Sequence, residues 1–169
     1  MTNFLRNRSF SLIAVFILLL ADNGPSFAEQ TEKNSTGIVI CTGTGDMFLE
    51  TMSMLEHTRY RTNSSLPICL AHCDEMTPVM LELVSKFPGV SVLDICSKHT
   101  IGAFPEHKPK LRGFFCKPAA LILSPFQNTL MADSDVIWFK KPELLFDSPG
   151  FIETGSLFFR DRWTQTKNK

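Results

Sequence analysis

The run from Gly37 to Cys41 (GIVIC) is apolar at every position, so neither of its faces suits contact with water. Because side chains alternate between the two faces of a strand, such a run needs apolar cover on both sides. A strand of this kind is typical of a parallel sheet that is packed between helices. This run therefore constrains the fold more than any other segment does.

Helical and strand-like patterns alternate after this run. Strand-like segments are expected at 66–71 and 90–95, and helical periodicity is expected at 47–57 and from Pro78 to Phe87, with Thr77 as the N-cap. A short helix from about Lys117 and an apolar strand before residue 133 complete the pattern. This order predicts an α/β domain with a mostly parallel sheet and flanking helices.

The first 28 residues resemble a targeting segment. Arg6 and Arg8 precede an apolar run, and Ser26-Phe27-Ala28 supplies small residues of the kind found at a cleavage site. Residues 1–28 are therefore either a cleaved signal peptide or a short signal anchor, with residues 10–21 as the membrane tether in the second case. A polar stem at 29–36 and a domain at 37–169 follow, and both readings place that domain in the secretory pathway.

Two N-glycosylation sequons agree with this compartment, at Asn34 in the stem and at Asn63 in a turn-rich segment. All five cysteines follow the targeting segment, where disulfides are permitted. An odd number leaves at least one thiol without a partner in the chain. Cys41 and Cys96 lie in apolar strand patterns, which favours buried thiols at those two positions.

The overall charge gives no sign of a nucleic-acid partner or of an anionic membrane surface. Lysine plus arginine and aspartate plus glutamate each number 17, so the formal net charge is zero. No basic face of the protein as a whole is expected. Binding partners must therefore be inferred from local sites.

The segment from Thr129 to Asp135 is an apolar run that ends in two carboxylates, Asp133 and Asp135. In an extended chain, residues two apart point to the same face with α-carbons about 6.6 Å apart. Two carboxylates placed in this way suit Mn²⁺ or Mg²⁺, which phosphate oxygens and water molecules also coordinate. The pair predicts a metal site at the end of a strand, although the motif is too short to be specific alone.

Other polar groups are expected near these acids. Thr42-Gly43-Thr44 follows the first strand, and ligands of open α/β sheets bind outside the carboxyl ends of strands. This turn either favours an anion through backbone N–H groups at a helix N-terminus or is an ordinary strand-to-helix connection, and it lacks the rest of a phosphate-binding loop. Lys117 lies at a helix start, where a cation is disfavoured unless an anion compensates, so it either faces an anion or is a solvated residue. The basic loop at 99–113 is either a functional loop or a solvated basic loop.

Five blocks, in this order and spacing, resemble the MNN1-type α-1,3-mannosyltransferases. They are RGFFCKPAAL (112–121), SPF (124–126), MADSD (131–135), KPELLF (141–146) and TGSLFF (154–159). A more distant similarity is to glycogenin-like glycosyltransferases, which share a lysine helix before the acidic strand. The resemblance covers roughly residues 37–163.

The resemblance implies a GT-A-like fold and the transfer of mannose from GDP-mannose to a glycan or glycoprotein acceptor, with Mn²⁺ or Mg²⁺ as cofactor. By position, Asp135 would bind the metal and Asp133 the nucleotide ribose or the metal shell, while Lys117 would neutralise donor phosphate. Thr42, Gly43 and Thr44 would line the donor pocket. Thr154, Gly155 and Ser156 would lie near the donor sugar or acceptor, unless they form only a turn before a buried strand. No catalytic nucleophile is assigned.

The resemblance also implies a location in the Golgi lumen or in the Golgi membrane as a type II protein, with secretion as the alternative. Members of the family continue well beyond Trp163, so we expect an incomplete GT-A-like domain. A catalytically silent module that still binds nucleotide-sugar or glycan is the alternative function. A metal-dependent hydrolase is a weaker alternative, because the further histidine and aspartate ligands of such sites are missing from the pattern.

Overall fold

The computed structural model describes residues 35–97, 111–112 and 115–158. The targeting segment 1–28, most of the stem including Asn34, most of the basic loop and the residues after Phe158 lie outside these ranges. None of the helices in the described ranges has both the length and the apolar character that crossing a membrane requires. The tether predicted at residues 10–21 lies outside the described residues.

Four parallel strands form the sheet, in the spatial order β3-β2-β1-β4. Their bounds are Thr36–Cys41 (β1), Ile68–His72 (β2), Val90–Asp94 (β3) and Asn128–Ala132 (β4). All four strands agree with the sequence patterns to within about two residues at each end. The predicted α/β class with a parallel sheet is confirmed.

The helices among the described residues are short, and they connect or follow the strands. Their bounds are Asp46–Glu56 (α1), Pro78–Ser85 (α2), Cys116–Ile122 (α3) and Pro149–Thr154 (α4). A π-helical turn at His57–Arg61 continues α1, and a 3₁₀ turn occupies Pro142–Leu145. The sequence patterns predict α1, α2 and α3 but neither of the two turns nor α4.

Local chemistry explains where α2 begins. The Thr77 hydroxyl oxygen accepts a hydrogen bond from the backbone N–H of Met80 at 3.3 Å, and Pro78 occupies the first helical position. The hydroxyl satisfies one of the N–H groups that a helix start leaves unpaired, and proline has no N–H to leave unpaired. The predicted N-cap is therefore confirmed.

The sheet has an apolar core on each face, as the GIVIC run requires. Ile38 and Ile40 point to the face that α1 and α2 cover, whereas Val39 points to the face that α3 covers, and all three are fully buried. The first core also contains Leu55 and Val84 from the two helices. Because β1 is covered on both faces, it forms the centre of the fold.

Candidate functional site

The strand order changes direction beside β1, and this creates the site. From β1 the chain first builds outward through β2 to β3 and then returns to place β4 on the other side of β1. Ile40 of β1 pairs in register with Ala132 of β4, so the turns that follow the two strands begin side by side. The point where strand order reverses is where open α/β sheets bind ligands.

The two acids lie in a turn rather than in an extended strand. Strand β4 ends at Ala132, and the backbone N–H of Val136 donates to the Asp133 carbonyl at 3.3 Å. The alternation that would direct Asp133 and Asp135 to one face therefore stops before both of them. Both side chains are exposed, and both act electrostatically on Lys117.

Asp133 is paired with Lys117. The Lys117 ammonium forms an ion pair with the Asp133 carboxylate, joining the first turn of α3 to the end of β4. The hydrogen bond with Asp133 raises the pKa of Lys117, so the lysine stays charged beside the acidic turn. Both side chains remain about half exposed, at 41% and 55%. The ion pair is therefore accessible to a charged ligand.

Asp135 also lies near α1. It lines a groove of about 490 Å³ together with Asp46 and Glu50 of that helix. The hydroxyl of Ser134, the residue between the two acids, donates to a carboxylate oxygen of Glu50 at 3.0 Å. Glu50 thereby connects the helix that follows β1 to the turn that follows β4.

Asp46 and Glu50 were not predicted as site residues, although the sequence contained a signal. They are four residues apart, so they share one face of α1. This helix begins immediately after the turn at residues 42–44, at the same end of the sheet as the acidic turn. Acids in the first turns of the helix that follows the first strand were therefore candidates.

The turn after β1 presents its residues unequally. The Thr42 hydroxyl is 2.9 Å from the Thr51 hydroxyl, and its backbone N–H donates to the Ala71 carbonyl, so its polar groups face the protein interior. Thr44 is exposed, whereas Gly43 is buried. An atom added at the Cβ position of Gly43 would lie 3.5 Å from a carboxylate oxygen of Glu75. Glu75 is a further acid at this end of the sheet that was not predicted, and burial raises its pKa.

A second groove, of about 700 Å³, runs along the outer side of β4. Lys117, Gly155 and Ser156 line it, so two predicted groups of residues meet there, and most of the remaining lining is apolar. The Thr154 hydroxyl oxygen lies 2.7 Å from the carbonyl oxygens of both Gly150 and Ser156, so its hydrogen bonding stays within its own segment. Gly155 adopts a left-handed φ of 70° at the end of α4, as glycine commonly does there.

Leu157 and Phe158 do not form the buried strand that was the alternative expectation for this segment. Their side chains are 39% and 89% exposed, and neither residue is in a strand. The turn part of that expectation is seen at Gly155. Phe159 lies outside the described residues.

The cysteines divide into one disulfide and three thiols. Cys73 and Cys96 are linked, and Cys41, Cys69 and Cys116 are free. Cys96 is buried as expected, but the expectation of a free buried thiol there is wrong, because the turn after β3 brings it to the end of β2. A hydrogen bond between Cys41 and Cys116, together with burial, raises the pKa of Cys41, and the same bond lowers the pKa of Cys116.

The donor set is small for a metal held by protein alone. Within residues 35–97, 111–112 and 115–158, no group of three or more histidine, cysteine, aspartate or glutamate side chains is arranged to hold a metal ion. The exposed carboxylates of Asp133 and Asp135 fit a cation that keeps water and phosphate oxygens among its ligands.

The sequon asparagine that the structure describes is Asn63. Its side chain is exposed, and its backbone has a left-handed φ of 54°.

A parallel sheet between helices, with a lysine and two acids at its switch point, defines the class as an α/β domain with a GT-A-like fold. Residues 35–169 match the family described as "Mannosyltransferase putative". The match covers more than half of the chain, so the chain belongs to this mannosyltransferase family. The resemblance to MNN1-type α-1,3-mannosyltransferases is confirmed.

Individual relatives support the same assignment. "Putative alpha-1,3-mannosyltransferase MNN14" of Candida albicans is 26% identical over 151 residues, which are 85% of this chain and 22% of the relative. "Alpha-1,3-mannosyltransferase MNT2" of Saccharomyces cerevisiae is 28% identical over 155 residues, or 83% of this chain and 27% of the relative. "Alpha-1,2-mannosyltransferase MNN22" of Candida albicans is 40% identical over 57 residues, which are 34% of this chain and 10% of the relative. The chain thus spans at most 27% of the length of these three relatives.

Proposed function

We propose that this chain supplies the donor-binding part of a mannosyltransferase, which moves mannose from GDP-mannose to a glycan or glycoprotein acceptor in protein glycosylation. The observation that carries the proposal is the adjacency of β1 and β4. Their carboxyl ends bring the turn at 42–44, Lys117 and the acids at 133 and 135 to one edge of the sheet. Family membership supplies the transferred sugar class.

Charge explains why these residue types suit such a donor. When mannose leaves GDP-mannose, the diphosphate gains negative charge, and groups that stabilise that charge lower the barrier. Lys117 remains protonated beside Asp133 and can bind a phosphate oxygen. Asp133 and Asp135 would hold Mn²⁺ or Mg²⁺, which supplies Lewis-acid stabilisation of the same diphosphate when bound.

The Lys117–Asp133 ion pair has a role before the donor arrives. Each partner satisfies the charge of the other while both remain partly exposed. Binding of the donor with its cation would give Asp133 a cationic partner and Lys117 an anionic one. Because exposed ion pairs contribute little to stability, the exchange of partners costs little.

The second groove is the proposed location of the transferred sugar or of the acceptor. It begins at Lys117 and continues past Gly155 and Ser156, so it leads away from the phosphate-binding end of the site. Phe146 and Phe151 form an edge-to-face pair with centroids 5.3 Å apart, and both line this groove. Aromatic rings of this kind provide apolar surface for the C–H faces of a sugar.

The proposed compartment is the secretory pathway, with the Golgi lumen or Golgi membrane as the working location. The Cys73–Cys96 disulfide supports this proposal, because disulfides persist in oxidising compartments. The exposed position of Asn63 also allows glycosylation there. The membrane tether and the Asn34 sequon belong to the same proposal.

The experiment is calorimetric titration of the chain with GDP-mannose, with and without Mn²⁺. We expect binding that depends on the metal and that Asp135→Ala abolishes. Glu82→Gln is the control, because it removes an exposed carboxylate from α2, which packs at the β3 end of the sheet. An equal affinity with and without Mn²⁺ would contradict the metal site, and no binding at all would contradict the donor site.

A second measurement separates the enzyme from a silent binding module. The same preparation is incubated with GDP-mannose, Mn²⁺ and a mannosylated glycan, and the released GDP is quantified. Release that requires both acceptor and Asp135 supports the transferase. Metal-dependent binding without any release supports the silent module.

A further inference from the structure

Cys41 and Cys116 form a side-chain hydrogen bond close to Lys117 and Asp133. Cys41 is the last residue of β1 and pairs in register with Ala71 of β2. The Cys116 sulfur, at the start of α3, lies 3.9 Å from the Ala71 carbonyl oxygen. Cys116 belongs to a buried apolar cluster against which Cys41 packs, and a hydrogen bond joins the two cysteine side chains.

The apolar cluster around these two cysteines already contains one disulfide. Cys73 and Cys96 belong to the same cluster and are joined in a disulfide. A chain in which that bond has formed has met conditions that oxidise thiols. The remaining pair differs in exposure, since Cys41 is partly exposed whereas Cys116 is only 5% exposed.

We propose that Cys41 and Cys116 are a second disulfide site, closed by thiol–disulfide exchange with a small-molecule disulfide such as oxidised glutathione that reaches Cys41 first. The proposal concerns thiol chemistry alone and is independent of the donor and of the metal. It assigns a covalent modification to two residues that the proposed transfer reaction does not use.

The chemistry requires two exchange steps. Within the hydrogen bond that joins the two sulfurs, the proton of Cys41 passes to the Cys116 thiolate. The Cys41 thiolate formed in this way attacks one sulfur of oxidised glutathione, which forms a mixed disulfide and releases one glutathione thiolate. Cys116 gives its proton to that thiolate and attacks the Cys41 sulfur, which forms the Cys41–Cys116 bond and releases the second glutathione thiolate, to be protonated by water. The two cysteines lose two protons and two electrons, and the two glutathione molecules gain them.

The new bond would join the end of β1 to the first turn of α3. Lys117 is the next residue after Cys116, so the bond would also fix the backbone that carries this lysine. The closed loop would span the chain from β1 to α3 and restrict the unfolded chain over that length. We therefore expect a higher melting temperature after closure.

The test uses the native chain with its Cys73–Cys96 disulfide intact. It is treated with oxidised glutathione, denatured, labelled with N-ethylmaleimide and weighed by mass spectrometry. We expect the number of labelled cysteines to fall from three to one, with no retained glutathione. Non-reducing peptide mapping should link the peptide of Cys41 to the peptide of Cys116.

Single variants provide the controls. Cys69→Ser removes the remaining free thiol in the same cluster and should leave closure unchanged, whereas Cys41→Ser should prevent it. Three labelled cysteines after treatment, a stable glutathione adduct, or a link through Cys69 would each overturn the proposal. Peptide mapping of the unsubstituted chain decides the outcome even if a variant fails to fold.

Discussion

Lys117 and Asp133 form an ion pair that joins the start of α3 to the end of β4, at the point where the strand order of the sheet reverses. The chain brings a cation and an anion together where parallel α/β folds bind ligands. Neither partner is buried, so the pair is available for exchange with a charged ligand. Its value lies in position rather than in stability.

Lys117→Met should weaken donor binding without unfolding the chain. A hydrogen bond from a charged group contributes about 1.5–3 kcal/mol, which corresponds to roughly a 10- to 100-fold loss of affinity for GDP-mannose. The melting temperature should change little, because the side chain is 41% exposed. Calorimetric titration gives the first quantity and thermal denaturation the second.

Lys86→Met is the matched control for this change. Lys86 is an exposed lysine at the end of α2, where it pairs with Glu82 on the same helix. Its substitution should leave donor affinity unchanged. Equal losses in the two variants would indicate a general effect of positive charge and would refute a specific role for Lys117.

Glu50→Ala should weaken metal binding, although Glu50 is not one of the predicted metal ligands. Its carboxylate accepts from Ser134, between Asp133 and Asp135, and helps to position the acidic turn. Loss of a group that orients metal ligands typically lowers metal affinity about 10- to 100-fold. Titration with Mn²⁺ alone measures the effect.

Glu56→Ala is the corresponding control, since Glu56 is an exposed acid at the other end of the same helix. If both substitutions reduce Mn²⁺ affinity equally, the effect comes from the overall charge of α1. A loss confined to Glu50→Ala would support the contact with Ser134.

The first strand and the start of α2 were predictable because their signals are local. The fully apolar run at 37–41 and the cap at Thr77 each depend on neighbours in sequence, and both predictions are confirmed. The turn that carries Asp133 and Asp135 was not predictable, because it depends on where β4 stops pairing with β1. The Cys73–Cys96 bond depends on the meeting of two loops, and spacing alone does not determine such a pairing.

Arg59→Lys should destabilise the fold. Arg59 is 8% exposed, and its guanidinium donates to the carbonyls of Pro88 at 2.9 Å, Ser64 at 3.1 Å and Gly89 at 3.4 Å. A lysine ammonium cannot reproduce this planar set of donors. Ser64 is buried, and leaving its carbonyl unpaired costs about 1–3 kcal/mol, which chemical denaturation can measure.

Arg61→Lys serves as the reference for that measurement, because Arg61 is exposed at the end of the same π-helical turn. Its substitution should alter the free energy of unfolding by less than about 0.5 kcal/mol. A similar loss in both variants would contradict a special role for the buried guanidinium.

Asn63→Gln should remove an N-linked glycan from the chain when it is expressed in a eukaryotic secretory host. Asn63 is exposed, and its left-handed backbone places it at a turn. The intact mass of the variant should be lower than that of the original chain by the mass of one glycan. Treatment with a glycosidase should then remove no glycan from position 63 of the variant. A mass that differs from that of the original chain only by the added methylene group of glutamine would show that this sequon is not used.

Gly37→Ala should destabilise the sheet, although alanine is tolerated in most strands. A Cβ at position 37 would lie 2.5 Å from a ring carbon of Phe126, closer than such atoms approach in proteins. Relieving that overlap costs about 1–3 kcal/mol.

Gly150→Ala is the contrasting case. Its new Cβ would have an ordinary 3.6 Å contact with Leu157, and alanine favours the α4 helix by about 0.5–1 kcal/mol. Chemical denaturation should therefore give changes of opposite sign, and Phe126→Leu should recover part of the loss in Gly37→Ala. Two changes of the same sign, or no recovery, would show that the close approach of Gly37 to Phe126 does not limit packing at this position.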